Sequence, residues 1–173
     1  MLVSMAEVVR RAATIGRREG HTTLSQTFFF ERASAEALAE ALWEKPLIGS
    51  HSVFGPQKRA EVGRDDERRT LRDFSPAPGF LFDVVMIRKG NDFVVQFSQP
   101  RRDVPILAGE ILWSFRDVEG GAVLQEEINT ELASEHVSHP LSGPKPSVRR
   151  WVFFRVGHAQ VMKNATRNLA GLV

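Results

Sequence analysis

Residues 106–133 read ILAGEILWSFRDVEGGAVLQEEINTELA, and this stretch decides the fold. Apolar and polar residues alternate on either side of Glu119-Gly120-Gly121, the plainest hairpin signal in the chain. Two strands, about 106–117 and 122–133, are therefore expected to pair antiparallel. Alternation also sets their faces. In the first, Leu107, Ile111, Trp113 and Phe115 share one side, with Glu110 and Ser114 on the other. In the second, Gln125, Glu127, Asn129 and Glu131 form an unbroken polar face that must meet water. Leu124, Ile128 and Leu132 then share the opposite face with Glu126 and Thr130. Glu126 is thereby expected on the apolar side, which costs free energy unless it is paired.

The same pattern extends upstream. Strands are expected over about 51–62, 67–73, 80–88 and 92–99, the last with Phe93, Val95 and Phe97 as an inward row. Gly63-Arg64-Asp65-Asp66 and Lys89-Gly90-Asn91-Asp92 are tight-turn chemistry, while proline-bearing connections lie at 75–79 and 99–105. Six strands joined by short turns form an antiparallel meander. Ahead of them, Thr22–Phe30 alternates, with Leu24, Gln26, Phe28 and Phe30 on one face. Ser34 is the expected N-cap of a helix over 35–44, which Pro46 and Gly49 close.

Downstream, 138–146 carries three prolines and a glycine and reads as a loop. Ser147 then caps a helix over 148–173, with Trp151, Phe154, His158, Val161, Met162, Ala165, Leu169 and Leu172 at helical spacing. At the front, Met5, Val8, Val9, Ala12 and Ile15 also recur at helical spacing and predict an amphipathic helix over about 4–18, ended by Gly20. The expected organisation is an N-terminal amphipathic helix at 1–20 and one domain at 21–173.

The chain has 173 residues, 42% apolar and 25% charged, which suits one globular domain with a real core. No apolar run approaches the ~18 residues that a membrane span needs. The arginine-spaced start is a poor signal peptide, and the cytoplasm is the default compartment. Absence of cysteine excludes disulfides, thiolate catalysis and zinc–thiolate sites. Residues 145–173 hold six basic residues and no acid, a local +6, residues 1–20 hold +2, and the middle carries −6. A basic terminal helix against an acidic body reads first as internal complementarity, and second as a nucleic-acid or anionic-membrane surface. Interleaving of the basic residues with aromatics favours the first reading.

The order of strand, helix, six-strand meander and long helix resembles the START-like superfamily, also called helix-grip or SRPBCC. Polyketide cyclases and aromatases, coenzyme Q-binding proteins and lipid-transfer domains are among its members. Local textures add to the likeness: Phe29-Phe30-Glu31-Arg32-Ala33-Ser34 running into helix 35–44, Gly109 to Phe115 before a Gly-Gly hairpin, and an aromatic terminal helix. The resemblance covers about 21–173. It implies an α+β fold, a seven-stranded curved antiparallel sheet wrapped around a long C-terminal helix, here with an extra N-terminal helix. It also implies an apolar ligand cavity, and it supplies no short catalytic motif. A lipocalin-type barrel, the rival architecture, explains neither the helix after the first strand nor the terminal one.

Glu126 reads in two ways. It is a cavity carboxylate that orients a ligand or moves a proton, with burial raising its pKa, or a rim carboxylate paired with an arginine such as Arg155. His158 is either a proton-transfer partner facing the cavity or a core histidine. Phe82, Phe93, Phe97, Trp113, Trp151 and Phe154 line a pocket or fill the core. Gln26 and Thr130, with Glu126 and His158, are the polar contacts expected in such a pocket. Glu135, His136 and His139 lie in a proline-bearing segment and make a weak metal set, so no metal and no cofactor is expected. The mixed-charge run Arg64 to Arg69 reads as a solvated hairpin tip.

Three function classes stand open. The first is a cyclase, aromatase or dehydratase acting on a polyketide-like precursor, with Glu126 and His158 as acid–base groups. The second is a non-catalytic carrier or sensor of a lipid, quinone or other hydrophobic ligand. A third places an interaction module on the basic N-terminal segment. The expected partner is a hydrophobic small molecule, without nucleic acid or integral membrane association, and with a homodimer compatible.

Overall fold

Alternating apolar residues build one open antiparallel sheet of eight strands. The computed structural model describes residues 8–18, 21–45, 51–52, 55–56, 58–74, 81–98, 107–132 and 159–173. In chain order the elements are β1 (Val8–Arg18), β2 (His21–Glu31), α1 (Ala35–Glu44), β3 (His51–Ser52), β4 (Gly55–Pro56) and β5 (Lys58–Arg64). They continue with β6 (Arg68–Phe74), β7 (Leu81–Lys89), β8 (Asp92–Ser98), β9 (Leu107–Val118), β10 (Gly121–Leu132) and α2 (Ala159–Ala170). The strand order is β1-β2-β10-β9-β8-β7-β6-β5, while β3 and β4 form a separate two-stranded hairpin. β5 to β10 are the expected six-strand meander, every neighbour antiparallel, and β2 closes onto β10.

Two sequence expectations are corrected. Residues 8–18 form a strand and not a helix, paired with β2 from Val8↔Phe30 to Arg18↔His21, so the sheet has eight strands where seven were expected. The cause is a bulge between Arg10 and Ala12. It lets Val8 stand opposite Phe30 and Ile15 opposite Leu24, residues of one face of β2. Two apolar residues seven apart thus pair with residues of one β2 face, and the spacing imitates two turns of helix. The stretch expected as one strand over 51–62 is broken instead, because Gly55-Pro56 pairs back onto His51-Ser52 before β5 begins. Of the terminal helix expected over 148–173, α2 is the described part, and 148–158 lie outside the described residues.

α1 forms as expected. Ser34 is extended, and its Oγ accepts a hydrogen bond from Ala37 N at 3.2 Å. Asp117 of β9 adds a second tie at this end, its Oδ1 accepting from Ala35 N at 2.7 Å. A carboxylate there also suits the positive end of the helix dipole. Ala35, Leu38, Ala39, Leu42 and Trp43 are buried on one face of α1.

Those residues join Phe28, Phe30, Leu71, Val84, Met86, Phe93, Val95, Phe115 and Leu124 of the sheet in the main core. α2 contributes Met162, Ala165, Leu169 and Ala170. Phe93 and Phe115 meet edge-on, with ring centroids 6.1 Å apart. A smaller cluster, Leu24 and Ile128 with Phe97 and Ile111 against it, lies further along the same sheet face. Lys163 and Arg167 of α2 are exposed and make no ion pair among the described residues, and the helix meets the core through Met162, Ala165, Leu169 and Ala170. Among the described residues, no helix is long and apolar enough to cross a membrane.

Candidate functional site

One rung of the sheet carries the site. Gln26 of β2 stands opposite Glu126 of β10, Glu126 opposite Trp113 of β9, and Trp113 opposite Phe93 of β8. In an antiparallel pair, directly opposed side chains lie on the same face and within reach of each other. Gln26 Nε2 donates to Glu126 Oε2 at 2.7 Å, and Trp113 Nε1 donates to Glu126 Oε1 at 3.0 Å. Both carboxylate oxygens thus accept from neutral N–H groups, the arrangement that suits an anion. Glu126 and Gln26 are each 2% exposed.

The rung separates two apolar regions. Along β2, Gln26 lies between Leu24 of the small cluster and Phe28 of the main core. Along β10, Glu126 lies between Ile128 and Leu124 in the same way. A buried carboxylate held by neutral donors in such surroundings can orient a ligand group or exchange a proton with it. Gln26 Oε1 is buried and, among the described residues, accepts no hydrogen bond.

Trp113 links this rung to a small cavity between the sheet and the helices. The cavity measures about 10 Å³ and is walled by Leu42, Trp113, Phe115, Leu124, Met162, Ala165, Thr166 and Leu169. It has room for one water-sized guest. Thr166 spends its hydroxyl on the Met162 carbonyl at 2.8 Å, so the cavity wall is effectively apolar. Phe97 lies at the far side of the rung, its ring passing over Gly109.

The structure therefore brings together Gln26, Trp113 and Glu126, with Phe93 in the same rung and Phe97 beside it. Thr130 is in β10 opposite Thr22 and Gly109, and Phe82 is in β7 opposite Asp73, but their side chains are not among those described. His158, Trp151 and Phe154 lie outside the described residues, as does Arg155. Among the described residues, no group of acidic and histidine side chains is placed to hold a metal ion.

Sequence reading missed Arg69. It was expected at a solvated hairpin tip, yet it is buried on the same side of β6 as Leu71. Its guanidinium pairs with Glu61 and donates to the Trp43 carbonyl at the end of α1. Parity with Leu71 was the available signal. Around it, Arg64 and Arg88 also approach the Trp43 ring, all three guanidinium carbons lying 5.5–6.0 Å from the ring centroid. Arg64 pairs with Glu44 and Arg88 with Glu40, each at 2.8 Å or less.

No family model matches the chain, and no curated protein does. Solved structures match by shape. The di-domain ARO/CYC StfQ from the steffimycin biosynthetic pathway superposes with a TM-score of 0.65 at 14% identity, covering 86% of this chain and 49% of that one. The di-domain ARO/CYC BexL from the BE-7585A pathway gives 0.61 at 14% identity, with 86% and 49% covered. The chain thus spans about half the length of these two proteins. A START superfamily protein from Mycobacterium smegmatis gives 0.52 at 16% identity, with 86% and 96% covered. At such identities the likeness establishes architecture, and the architecture is START-like, the helix-grip α+β fold that the element order anticipated.

Proposed function

We propose, with the START-like fold as premise, that the chain binds a hydrophobic small molecule between its sheet and α2, and that Gln26, Glu126 and Trp113 form the polar end of that site. The observation that carries this reading is Glu126, an acid 2% exposed at a position where alternation calls for an apolar residue. Stability alone does not call for it, since a buried charge is commonly replaced by an apolar group without loss. The cavity walled by described residues has room for a water-sized guest and marks the apolar side of that site.

The finer reading is ring closure or aromatisation of a polyketide-like precursor, in keeping with the ARO/CYC names of StfQ and BexL. An apolar enclosure would fold the flexible chain, and Glu126 would take a proton from a methylene carbon next to a carbonyl. The enolate carbon would attack a second carbonyl, and the proton would return to the alkoxide formed. His158 is the second acid–base candidate. Carriage of a hydrophobic ligand without chemistry is the alternative, and the hydrogen bonds from Gln26 and Trp113 to the two Glu126 oxygens suit a positioning role.

Native mass spectrometry of the purified protein is expected to reveal a co-purifying apolar adduct. Protein that carries none and binds no added aromatic probe removes the binding reading. Incubation with a poly-β-ketone analogue separates the two classes. Glu126→Gln and His158→Ala are each expected to lower turnover while binding persists, and turnover unchanged in both variants leaves the carrier.

A further inference from the structure

We infer that the head group accepted at this site is a neutral hydroxyl on an apolar skeleton, a phenol or an enol, donating its proton to Gln26 Oε1. This rests on the binding reading above and goes further by naming the ligand's chemistry. The Gln26 amide has a defined orientation: its Nε2 faces Glu126 Oε2 at 2.7 Å, and the reverse orientation would set two acceptors against each other. Oε1 therefore points away from the carboxylate. It is enclosed and, among the described residues, accepts nothing.

Buried carbonyl oxygens in folded proteins nearly always have a donor, so an orphan here marks a place made for one. The Trp113 indole N–H is spent on Glu126 Oε1. Of the three side-chain oxygens at the rung, none can donate to a ligand while Glu126 is ionised. A ligand carboxylate, which only accepts, would set its oxygens against Gln26 Oε1. An ether or ketone would bring an acceptor to an acceptor. A hydroxyl matches, and Leu24 and Phe28, which flank Gln26 on the same face of β2, suit an apolar skeleton behind it.

Three probes of one skeleton test this: naphthol, methoxynaphthalene and naphthoate, titrated calorimetrically near neutral pH into the wild type and Gln26→Leu. The wild type is expected to bind naphthol about tenfold more tightly than methoxynaphthalene, the scale of one buried neutral hydrogen bond, with naphthoate weakest. Gln26→Leu is expected to abolish that preference, bringing the naphthol and methoxynaphthalene affinities to within about twofold of each other. Equal wild-type affinity for naphthol and methoxynaphthalene overturns the inference and spares the binding reading. Preference for naphthol that survives in Gln26→Leu also overturns it. Failure of all three probes to bind removes the binding reading and this inference together. If Gln26→Leu loses its cooperative thermal transition, Gln26→Met keeps the side-chain length and takes its place, and the wild-type comparison decides in either case.

Discussion

Two buried or half-buried polar groups sit on the same sheet face, and they are built differently. Around Trp43, charge meets opposite charge: Arg64 pairs with Glu44, Arg69 with Glu61 and Arg88 with Glu40. Arg69 also caps the C-terminal end of α1, which has no basic residue in its own last turn. At the Gln26–Glu126–Trp113 rung, a carboxylate meets neutral donors, and an amide oxygen is left over. A balanced network explains itself as architecture. A buried amide oxygen that accepts nothing among the described residues calls for a ligand.

The largest effect is expected at the balanced group. Arg69→Met removes the donor of both Glu61 and the Trp43 carbonyl and should cost about 3 kcal/mol of stability in denaturant unfolding. Probe affinity of the folded variant should stay unchanged, which would separate the two regions cleanly. Next comes the packing beside the rung. An added methyl at Gly109 would stand 2.3 Å from the Asn129 carbonyl oxygen and 2.8 Å from the Phe97 ring. Gly109→Ala should therefore cost about 2 kcal/mol and loosen Phe97, again read by denaturant unfolding.

Glu126→Gln is expected to shift stability by no more than about 1 kcal/mol, because a buried charge contributes little net free energy to folding. A loss as large as that of Arg69→Met would make Glu126 structural and erase the contrast. The smallest effect belongs to a surface pair on the outer face, Arg116 with Asp92 at 2.8 Å, both half exposed. Arg116→Ala should change the midpoint by about 0.5 kcal/mol or less.

Much of this was legible in the sequence because strand alternation is strict where one face is buried. The parity of Glu126 with Leu124 and Ile128, and of Gln26 with Leu24 and Phe28, is enough to place both inside. Their direct opposition was not legible, since register between β2 and β10 depends on strands about a hundred residues apart in sequence. β1 misread for a local reason: the bulge near Arg11 breaks alternation, and period arguments have no way to register one extra residue. Arg69 misread because a charge-rich turn suggests solvent, although parity with Leu71 pointed inward. The expected electrostatic grip of the terminal helix fails over α2, where Met162, Ala165, Thr166 and Leu169 claim the inner face and leave Lys163 and Arg167 outside.

The most direct test follows the indole N–H resonances of Trp43 and Trp113 during a naphthol titration, assigned through Trp→Phe variants. One lies in the ion-pair network and the other in the Gln26–Glu126–Trp113 rung. The account predicts a saturable shift at Trp113 with Trp43 unmoved. A shift at Trp43 alone, or none at either with naphthol in excess, would contradict it.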